Sequence, residues 1–389
     1  MKTIGIITIQ KSQNNYGGSL QCYALYEYLH SLGYPCEVID LDLPGRAKYV
    51  DSIRFHIMRT HYSFIVLIKG WIKELLGIRR LRNPNYSPNW NPVAEKRFND
   101  FNAKIHYSKQ YSFIPDLYRK PPHYDIYISG SDQLWNPEQP YCVEPYFLTF
   151  VKNKKALKIS YGTSIGVSKL YDDEKRKFRK WLKSYDRISV REQEARDLLA
   201  SFVPKDIFRV PDPTFLLEPE KWQQLAVKPE FTKPYILVFT LYQEKTIIDK
   251  AVFLAKEKGL KVFVIDQNYN GIEDETLQAV REAGPREFIG WIQHAHLVLT
   301  DSFHCTVFSL IMHSRNFYTY IAPNATRGSR IRNMLALYEL NDHLLTDMSV
   351  LSSHKVDEES VDKEHVYNVM EKERIQGARF LRDALKIIK

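Results

Sequence analysis

The first forty residues contain a strand, a turn with two glycines, a helix and a second strand. Apolar residues fill positions 4–9, Gly-Gly occupies 17–18, and leucine, alanine and tyrosine recur at helical spacing over 20–29. A second apolar strand follows at 36–40. A strand–helix–strand unit of this kind requires a mostly parallel sheet with helices on its faces.

The same alternation of strands and helices resumes after residue 120 and again at residue 235. We therefore predict an α/β protein of two doubly wound domains that face a cleft, where ligands collect at the carboxyl ends of the strands. A proline-containing loop at 210–214 is typical of a domain boundary. The predicted domains are 1–215, with the acceptor side of the cleft, 216–360, with the donor side, and a C-terminal helix at 361–389 that packs back on the first domain.

Composition indicates a soluble globular protein, with 44% hydrophobic and 26% charged residues. The N-terminus is predicted to be a strand rather than a signal peptide, and no apolar run reaches the roughly 20 residues that a bilayer span needs. The four cysteines are scattered and lack metal-binding spacing, so we expect reduced thiols. These features favour a cytoplasmic location.

The positive charge of the chain is concentrated in one insert, residues 46–120. This insert has 15 Lys and Arg against 5 Asp and Glu, a net charge of +10, whereas the whole chain carries +9. Within it, residues 53–82 combine an apolar run and Trp71 with interleaved cations. The segment is either a helix or hairpin on the anionic inner face of the plasma membrane, or a helical excursion packed on its domain. Nucleic acid is not expected, because no recognition module accompanies the charge.

A short polar stretch at 300–304 joins a predicted strand to a predicted helix and ends in His304. The residues before it are apolar, and the run from Phe303 to Met312 has helical periodicity. Free backbone N–H groups at such a helix start suit a phosphate or carboxylate, and an imidazole beside them could perform acid–base chemistry. The alternative is a capped helix with a half-buried histidine.

Small and acidic residues follow a second predicted strand at 124–129. Here Ser131 and Asp132 come directly after Gly130. Small residues allow a ligand to approach the backbone, and Asp132 could orient a sugar hydroxyl or act as a base. The alternative is a capped turn in which Asp132 is the N-cap of a helix.

Two further positions could contact a ligand. The Gly-Gly pair before the first helix permits close approach, although no dinucleotide-binding pattern is present. Arg191, at the end of a strand, could clamp a carboxylate or phosphate, or pair with Glu192 or Glu194. Arg330 opens a helix and could reach an anion or remain solvated.

Several chemistries lack their motifs in this sequence. It contains no metal-ligand cluster, no nucleophile elbow and no phosphate-binding P-loop. These absences argue against metallohydrolase, α/β-hydrolase and ATPase functions.

Taken together, the motifs resemble those of the polysaccharide pyruvyl transferase family. The resemblance runs from residue 4 to about 340, apart from the basic insert. The blocks that carry it are NYGGSLQCYAL (15–25), GSDQLWNP (130–137), ISVRE (188–192), DPT (212–214), TDSFH (300–304) and SRI (329–331).

The resemblance implies two Rossmann-like domains of the GT-B glycosyltransferase type. It also implies transfer of a pyruvyl group from phosphoenolpyruvate to two hydroxyls of one sugar, in a surface polysaccharide or its lipid-linked precursor. The product would be a cyclic ketal, with release of phosphate, no cofactor and no metal. The residues assigned in this way are His304 and Asp132 as catalytic groups; Arg191, Ser302, Phe303 and Arg330 for the donor; and Asn15, Gly17, Gly18, Ser131 and Trp135 for the acceptor.

One position departs from the family pattern. Many members have an arginine two residues before the catalytic histidine, where this chain has Ser302. Arg191, another cation or the helix N-terminus would then meet the donor's charge. Two other functions fit the same architecture: a sugar-nucleotide-dependent glycosyltransferase, and a non-catalytic scaffold of a polysaccharide assembly complex in which His304 would be dispensable.

Overall fold

A computed structural model of the chain describes residues 2–9, 15–41, 91–112, 114–139, 142, 144–241, 243–323, 328–358 and 361–387. The membrane contact predicted for residues 53–82 lies outside the described residues, as does the larger part of the basic insert. Among the helices that are described, none combines the length and apolarity needed to cross a bilayer.

The N-terminal half, residues 2–225, is built on parallel strands. Four strands form one sheet in the order β2-β1-β3-β4, and β5 pairs with β6 beside it. All these pairings are parallel, with Ile4 beside Cys36 and Ile126. The strands are β1 (Ile4–Ile7), β2 (Cys36–Val38), β3 (Ile126–Ser129), β4 (Leu157–Ser160), β5 (Ile188–Val190) and β6 (Ile207–Arg209).

Helices cover this half where the sequence becomes amphipathic. The first is almost completely buried over its length, so it lies inside the molecule rather than on its surface. The helices are α1 (Tyr16–Ser31), α2 (Pro92–Asn102), α3 (Ile114–Arg119), α4 (Asp172–Leu182), α5 (Gln193–Ala200) and α6 (Pro219–Leu225). A 3-10 turn at Pro213–Leu216 packs against α1.

The C-terminal half, residues 235–358, contains a six-stranded parallel sheet in the order β12-β11-β10-β7-β8-β9. Its strands are β7 (Tyr235–Phe239), β8 (Lys261–Ile265), β9 (Leu277–Val280), β10 (Leu297–Thr300), β11 (Phe317–Tyr320) and β12 (Leu344–Leu345). Its helices are α7 (Lys245–Lys258), α8 (Pro285–His294), α9 (Phe303–Ile311), α10 (Ser329–Leu337) and α11 (Ser353–Asp357). The two parallel sheets with flanking helices confirm the predicted fold class.

Aromatic side chains join the two halves. Tyr16, at the start of α1, stacks on Phe288 of α8 with ring centroids 4.6 Å apart and meets Phe239 edge-on. Its hydroxyl donates a hydrogen bond to the carbonyl of Ala283. Because these contacts are buried, α1 is packed against both halves and brings its N-terminus to the boundary between them.

A final helix, α12 (Lys363–Leu385), follows the C-terminal half but packs on the N-terminal one. Glu373 forms an ion pair with Arg209, and the Gln376 side-chain amide donates to the Arg209 carbonyl. The Tyr161 hydroxyl lies against Gly377, where any larger residue would overlap it. Tyr367, near the start of the helix, also lies 6.5 Å from His313 between ring centroids, so α12 contacts both halves.

Candidate active site

His304 lies at the start of α9, directly after β10, as the sequence predicts. Ser302 caps this helix: its hydroxyl accepts a hydrogen bond from the N–H of Cys305, and its own N–H donates to the Thr300 hydroxyl. Ser302 is nearly inaccessible to solvent. The Ser302 hydroxyl is thus already hydrogen-bonded within the protein. A contact between Ser302 and the donor substrate stays a prediction.

The His304 imidazole reaches across the boundary into the N-terminal half. It packs directly on the backbone of α1, at Gly17. Its Nε2 lies 3.7 Å from Oδ2 of Asp212, in the loop that follows β6. The structure therefore brings together residues that are almost three hundred positions apart in the chain.

The turn before α1 explains the two glycines. The Asn15 side chain caps the helix by accepting a hydrogen bond of 2.7 Å from the N–H of Gly18. A β-carbon on Gly18 would meet that same side chain, and one on Gly17 would overlap the imidazole of His304. Gly17 thus provides the space for His304, while acceptor contacts from Asn15, Gly17 and Gly18 stay predictions.

Gly17→Ala is expected to displace the His304 ring and to remove most of the activity while leaving the helix intact, because alanine favours a helix more than glycine does. The added methyl has no free space between α1 and the ring. Initial rates and far-UV circular dichroism would test this. Ser19→Ala is the matched control, since the buried Ser19 hydroxyl has no hydrogen-bond partner among the described residues. Equal activity of Gly17→Ala and wild type would contradict this packing.

Arg191 forms the centre of a buried charged cluster. Its side chain is 2% exposed, and Nη1 donates to Asp212 Oδ2 at 2.6 Å and to the Ser131 hydroxyl at 3.2 Å. Nε lies 3.3 Å from Glu192, and Nη2 lies 3.5 Å from Asp132 Oδ1. One guanidinium is therefore surrounded by three carboxylates, which leaves the cluster with a net negative charge.

Burial opposes the ionisation of Asp212, but the nearby His304 imidazole, the charge of Arg191 and the Thr214 N–H together hold the pKa of this carboxyl below its usual range. Burial also acts against the charged form of Arg191, yet the three carboxylates, Asp212 first, raise the pKa of its guanidinium. Both groups are therefore charged at neutral pH.

Asp132 occupies a tight turn after β3 with a φ of +72°, a conformation that aspartate tolerates better than most residues. Its Oδ1 accepts a hydrogen bond from the N–H of Gln133 at 2.8 Å, and its backbone pairs with that of Thr163. No helix begins at this position. The carboxylate is thereby held beside Arg191 at the edge of the sheet.

The residues near Asp132 in the sequence make contacts inside the protein. The Ser131 hydroxyl bonds to the Gly162 carbonyl and to Asp212, and Ser131 is completely buried. Trp135 is also completely buried, stacked on Phe147 at 5.1 Å, with its indole N–H donating to the carbonyl of Tyr146. Any effect of Trp135 on an acceptor would therefore act through the loop that it anchors.

Phe303 lies between two cations from different halves. The Arg191 guanidinium carbon is 4.5 Å and that of Arg330 is 5.5 Å from the centre of its ring. Attraction to the ring face helps to hold both cations in place. Arg330, at the start of α10, and Arg191, after β5, thereby share one wall of the site.

That wall opens into a cavity of about 880 Å³ between α5, α10 and α12. The cavity combines cations with aromatic and amide groups. Its lining includes Arg191, Glu192, Arg196, Phe208, Arg209, Asp212, Phe215, Phe303, Arg330, Asn333, Tyr338, Glu373 and Gln376. Such a mixture of apolar surface with a few polar groups is typical of ligand sites.

Asp212 and Asp301 have no role predicted from the sequence. Asp212 follows β6 as Arg191 follows β5, but β6 is too short to be predicted from its pattern, so the DPT block at 212–214 was the available signal. Asp301 follows β10 and accepts a hydrogen bond from the N–H of Leu241 at 2.8 Å. Burial raises the pKa of Asp301 to about 6, so it titrates near neutral pH.

Comparison with known families matches residues 15–314 to polysaccharide pyruvyl transferase. The chain belongs to the polysaccharide pyruvyl transferase family. The match covers both halves and includes Gly17, Asp132, Arg191, Asp212 and His304. Family membership supports a role in pyruvyl transfer. None of the curated proteins matches the sequence.

Solved structures share the fold at low sequence identity. A UDP-N-acetylglucosamine 2-epimerase from Rickettsia bellii is 10% identical, with a TM-score of 0.53 over 99% of this chain and 96% of the other. The S. aureus MnaA–UDP structure is 10% identical, with a TM-score of 0.52 over 98% and 95%. The glycotransferase of kitacinnamycin is 14% identical, with a TM-score of 0.50 over 98% and 97%. These similarities support the GT-B-like fold alone.

Proposed function

We propose that this protein transfers the pyruvyl group of phosphoenolpyruvate to two neighbouring hydroxyls of a sugar, in a surface polysaccharide or its lipid-linked precursor. The product is a cyclic ketal, and phosphate is released. The observation that carries the proposal is the meeting of His304 with the Asp212, Asp132 and Arg191 cluster. This cluster combines a candidate acid, a candidate base and a cation in a chain of the pyruvyl transferase family.

Phosphoenolpyruvate, the proposed donor, is strongly anionic, so its binding site needs cations. Arg191 is largely neutralised by its three carboxylates, and Nη2 is the one nitrogen of its guanidinium without a hydrogen bond within the described part of the chain. Arg330 lies on the cavity wall across Phe303. We therefore assign the main charge contact with phosphoenolpyruvate to Arg330, with Arg191 offering one N–H and the Phe303 ring packing between them.

The chemistry follows from these positions. His304 donates a proton to the methylene carbon of phosphoenolpyruvate, which makes the neighbouring carbon cation-like. A sugar hydroxyl attacks that carbon while Asp132 accepts its proton. The carbon–oxygen bond to phosphate then breaks, and a second hydroxyl closes the ketal, its proton leaving with phosphate. The negative charge of the cluster favours the cation-like centre through electrostatic attraction.

The cavity has room for the acceptor sugar beside phosphoenolpyruvate. The cavity of about 880 Å³ reaches from Phe303 to Gln376 of α12, and its far end offers amide and aromatic groups suited to a sugar. Asn15, Gly17, Gly18 and Ser131 are not among the residues that line this cavity, but Gly17 contacts His304 and Ser131 contacts Arg191. We assign the sugar that receives the pyruvyl group to the part of the cavity beside Phe303.

Phosphate release tests the function. The protein would be incubated with phosphoenolpyruvate and a panel of aryl or lipid-linked galactosides, glucosides and N-acetylmannosaminides. We expect phosphate and a ketal product with at least one acceptor, and a raised KM for phosphoenolpyruvate in Arg330→Gln. Thermal stabilisation by a nucleoside diphosphate, without phosphate release from phosphoenolpyruvate, would instead identify a sugar-nucleotide-dependent transferase. Absence of both would favour a scaffold.

The basic insert supports a location on a membrane surface. Its charge of +10 on an otherwise nearly neutral chain would attract anionic lipid, by about 1 kcal/mol for each Lys or Arg near the surface. We expect vesicles with anionic lipid to sediment the protein at low salt and to release it at high salt, where charges are screened. Replacement of Arg79, Arg80 and Arg82 by Glu should abolish sedimentation. If the wild-type protein does not sediment with such vesicles at any ionic strength, the insert does not attach the protein to membranes.

A further inference from the structure

The two carboxylate oxygens of Asp212 have separate partners. Oδ1 accepts hydrogen bonds from the N–H and the hydroxyl of Thr214, at 3.0 and 2.8 Å, and so caps the turn that follows. Oδ2 accepts from Arg191 and Ser131 and lies next to His304. One oxygen therefore stabilises the local backbone, and the other belongs to the site.

The His304 ring has few other polar neighbours. Its Nε2 is buried and has no hydrogen bond within the described residues, and Asp212 Oδ2 lies 3.7 Å away. On another side, the ring packs against Gly17, and Nδ1 is the ring atom that a β-carbon there would meet first. Hydrogen bonds in active sites are often long before substrate binds and shorten in the complex. A small shift of the ring would complete a hydrogen bond from Nε2 to Asp212.

We propose that Asp212 is a positioning residue, which binds the Nε2 proton of His304 and leaves Nδ1 to exchange a proton with the substrate. The assignment rests on the proposed function. An oriented carboxylate of this kind fixes both the ring and its tautomer, as in other sites where histidine acts as an acid or base. Because Asp212 belongs to the N-terminal half and His304 to the C-terminal half, the acid is oriented only when the two halves meet.

The arrangement of charge supports this assignment. Asp212 is 3% exposed, and Arg191, Ser131 and Thr214 hold the carboxylate in place from the N-terminal half alone. These contacts hold the carboxylate in place independently of His304. The carboxylate stays ionised because its pKa lies below the usual range, so it can accept the imidazole proton at neutral pH.

Asp212→Asn is the first test. Asparagine has nearly the same volume, and its carbonyl oxygen can keep the cap on Thr214. Its NH2 group, which donates and cannot accept the proton of Nε2, then faces His304. We expect kcat to fall by about 10²–10⁴ while KM for phosphoenolpyruvate changes little. Asp347→Asn is the matched control and is expected to keep wild-type kcat, because exposed Asp347 caps Ser349 as Asp212 caps Thr214 but lies outside the site.

The decisive measurement is the double variant with His304→Ala. If Asp212 acts through His304, adding Asp212→Asn to His304→Ala lowers the residual rate no further, because residues that act as one unit are not additive. A further loss in the double variant, equal to that in the wild-type background, would overturn the proposal. If Asp212→Asn fails to fold by circular dichroism, Asp212→Glu keeps the charge beside Arg191 but moves the oxygen, and the same comparison applies.

Different results would contradict the proposed function and the proposed role of Asp212. If the wild type releases no phosphate from phosphoenolpyruvate with any acceptor, the proposed function is wrong. If the wild type is active and His304→Ala is not, yet Asp212→Asn retains wild-type kcat, only the role of Asp212 is wrong.

Discussion

His304→Ala is expected to lower the rate of pyruvyl transfer by about 10²–10⁴, the usual contribution of a general acid or base. The imidazole stands at the start of α9 beside Asp212, and within the described residues no other histidine pairs with Asp212. The measurement is kcat from phosphate release with a soluble acceptor. An unchanged kcat would remove His304 from the mechanism.

The fold should survive this substitution. Asp212 keeps its hydrogen bonds to Arg191, Ser131 and Thr214, so no buried charge is left without a partner when the ring is removed. Circular dichroism and the unfolding midpoint of His304→Ala are therefore expected to resemble those of the wild type. His294→Ala is the matched control, because this exposed histidine ends α8 and lies outside the site.

Local patterns in the sequence predicted much of the fold. A strand before residue 300 and a helix from Phe303 to Met312 were expected around His304, and the structure has Leu297–Thr300 and Phe303–Ile311. Strands and helices were expected to resume at residue 235, and the structure has a strand at Tyr235–Phe239. These segments succeed because apolar periodicity depends on residues within a few positions of each other.

Other elements were missed because their patterns are weak. The strand Ile207–Arg209 has only three residues and one buried side chain. The helix Asp172–Leu182 is so rich in charge that only Phe178 and Leu182 supply apolar burial. Such segments are stabilised by the neighbours they meet in the folded protein, and their own sequence says little about those neighbours.

The site itself could be predicted only in part. His304, Asp132 and Arg191 were selected because their residue types follow strands, and they do lie together. Asp212 was expected only in a loop between domains, because its contact with Arg191 depends on the pairing of β5 with β6. The packing of Gly17 on His304 depends on how the two halves meet, which no local pattern reports.

Arg191→Met is expected to destabilise the protein by about 3–5 kcal/mol, the cost of removing one partner from a buried ion pair. Asp212, Glu192 and Asp132 would lose their common cation, and Asp212 and Glu192 would stay in a site that solvent hardly reaches. Urea unfolding at neutral pH measures the change. Arg196→Met is the matched control on α5, because the ion pair with Asp197 is about half exposed and should contribute about 0–1 kcal/mol.

The pH dependence of the unfolding free energy shows whether charge or packing explains the effect of Arg191→Met. Asp212 has a lowered pKa in the folded protein, so its contribution to stability is present above about 4, the ordinary pKa of aspartate, and is lost as pH falls through the folded value. In Arg191→Met the buried carboxylates can take up protons at higher pH, which relieves their uncompensated charge. The difference in unfolding free energy between variant and wild type should therefore shrink as the pH is lowered. A difference that stays constant with pH would mean that Arg191 stabilises the fold by packing on Phe303 rather than by charge.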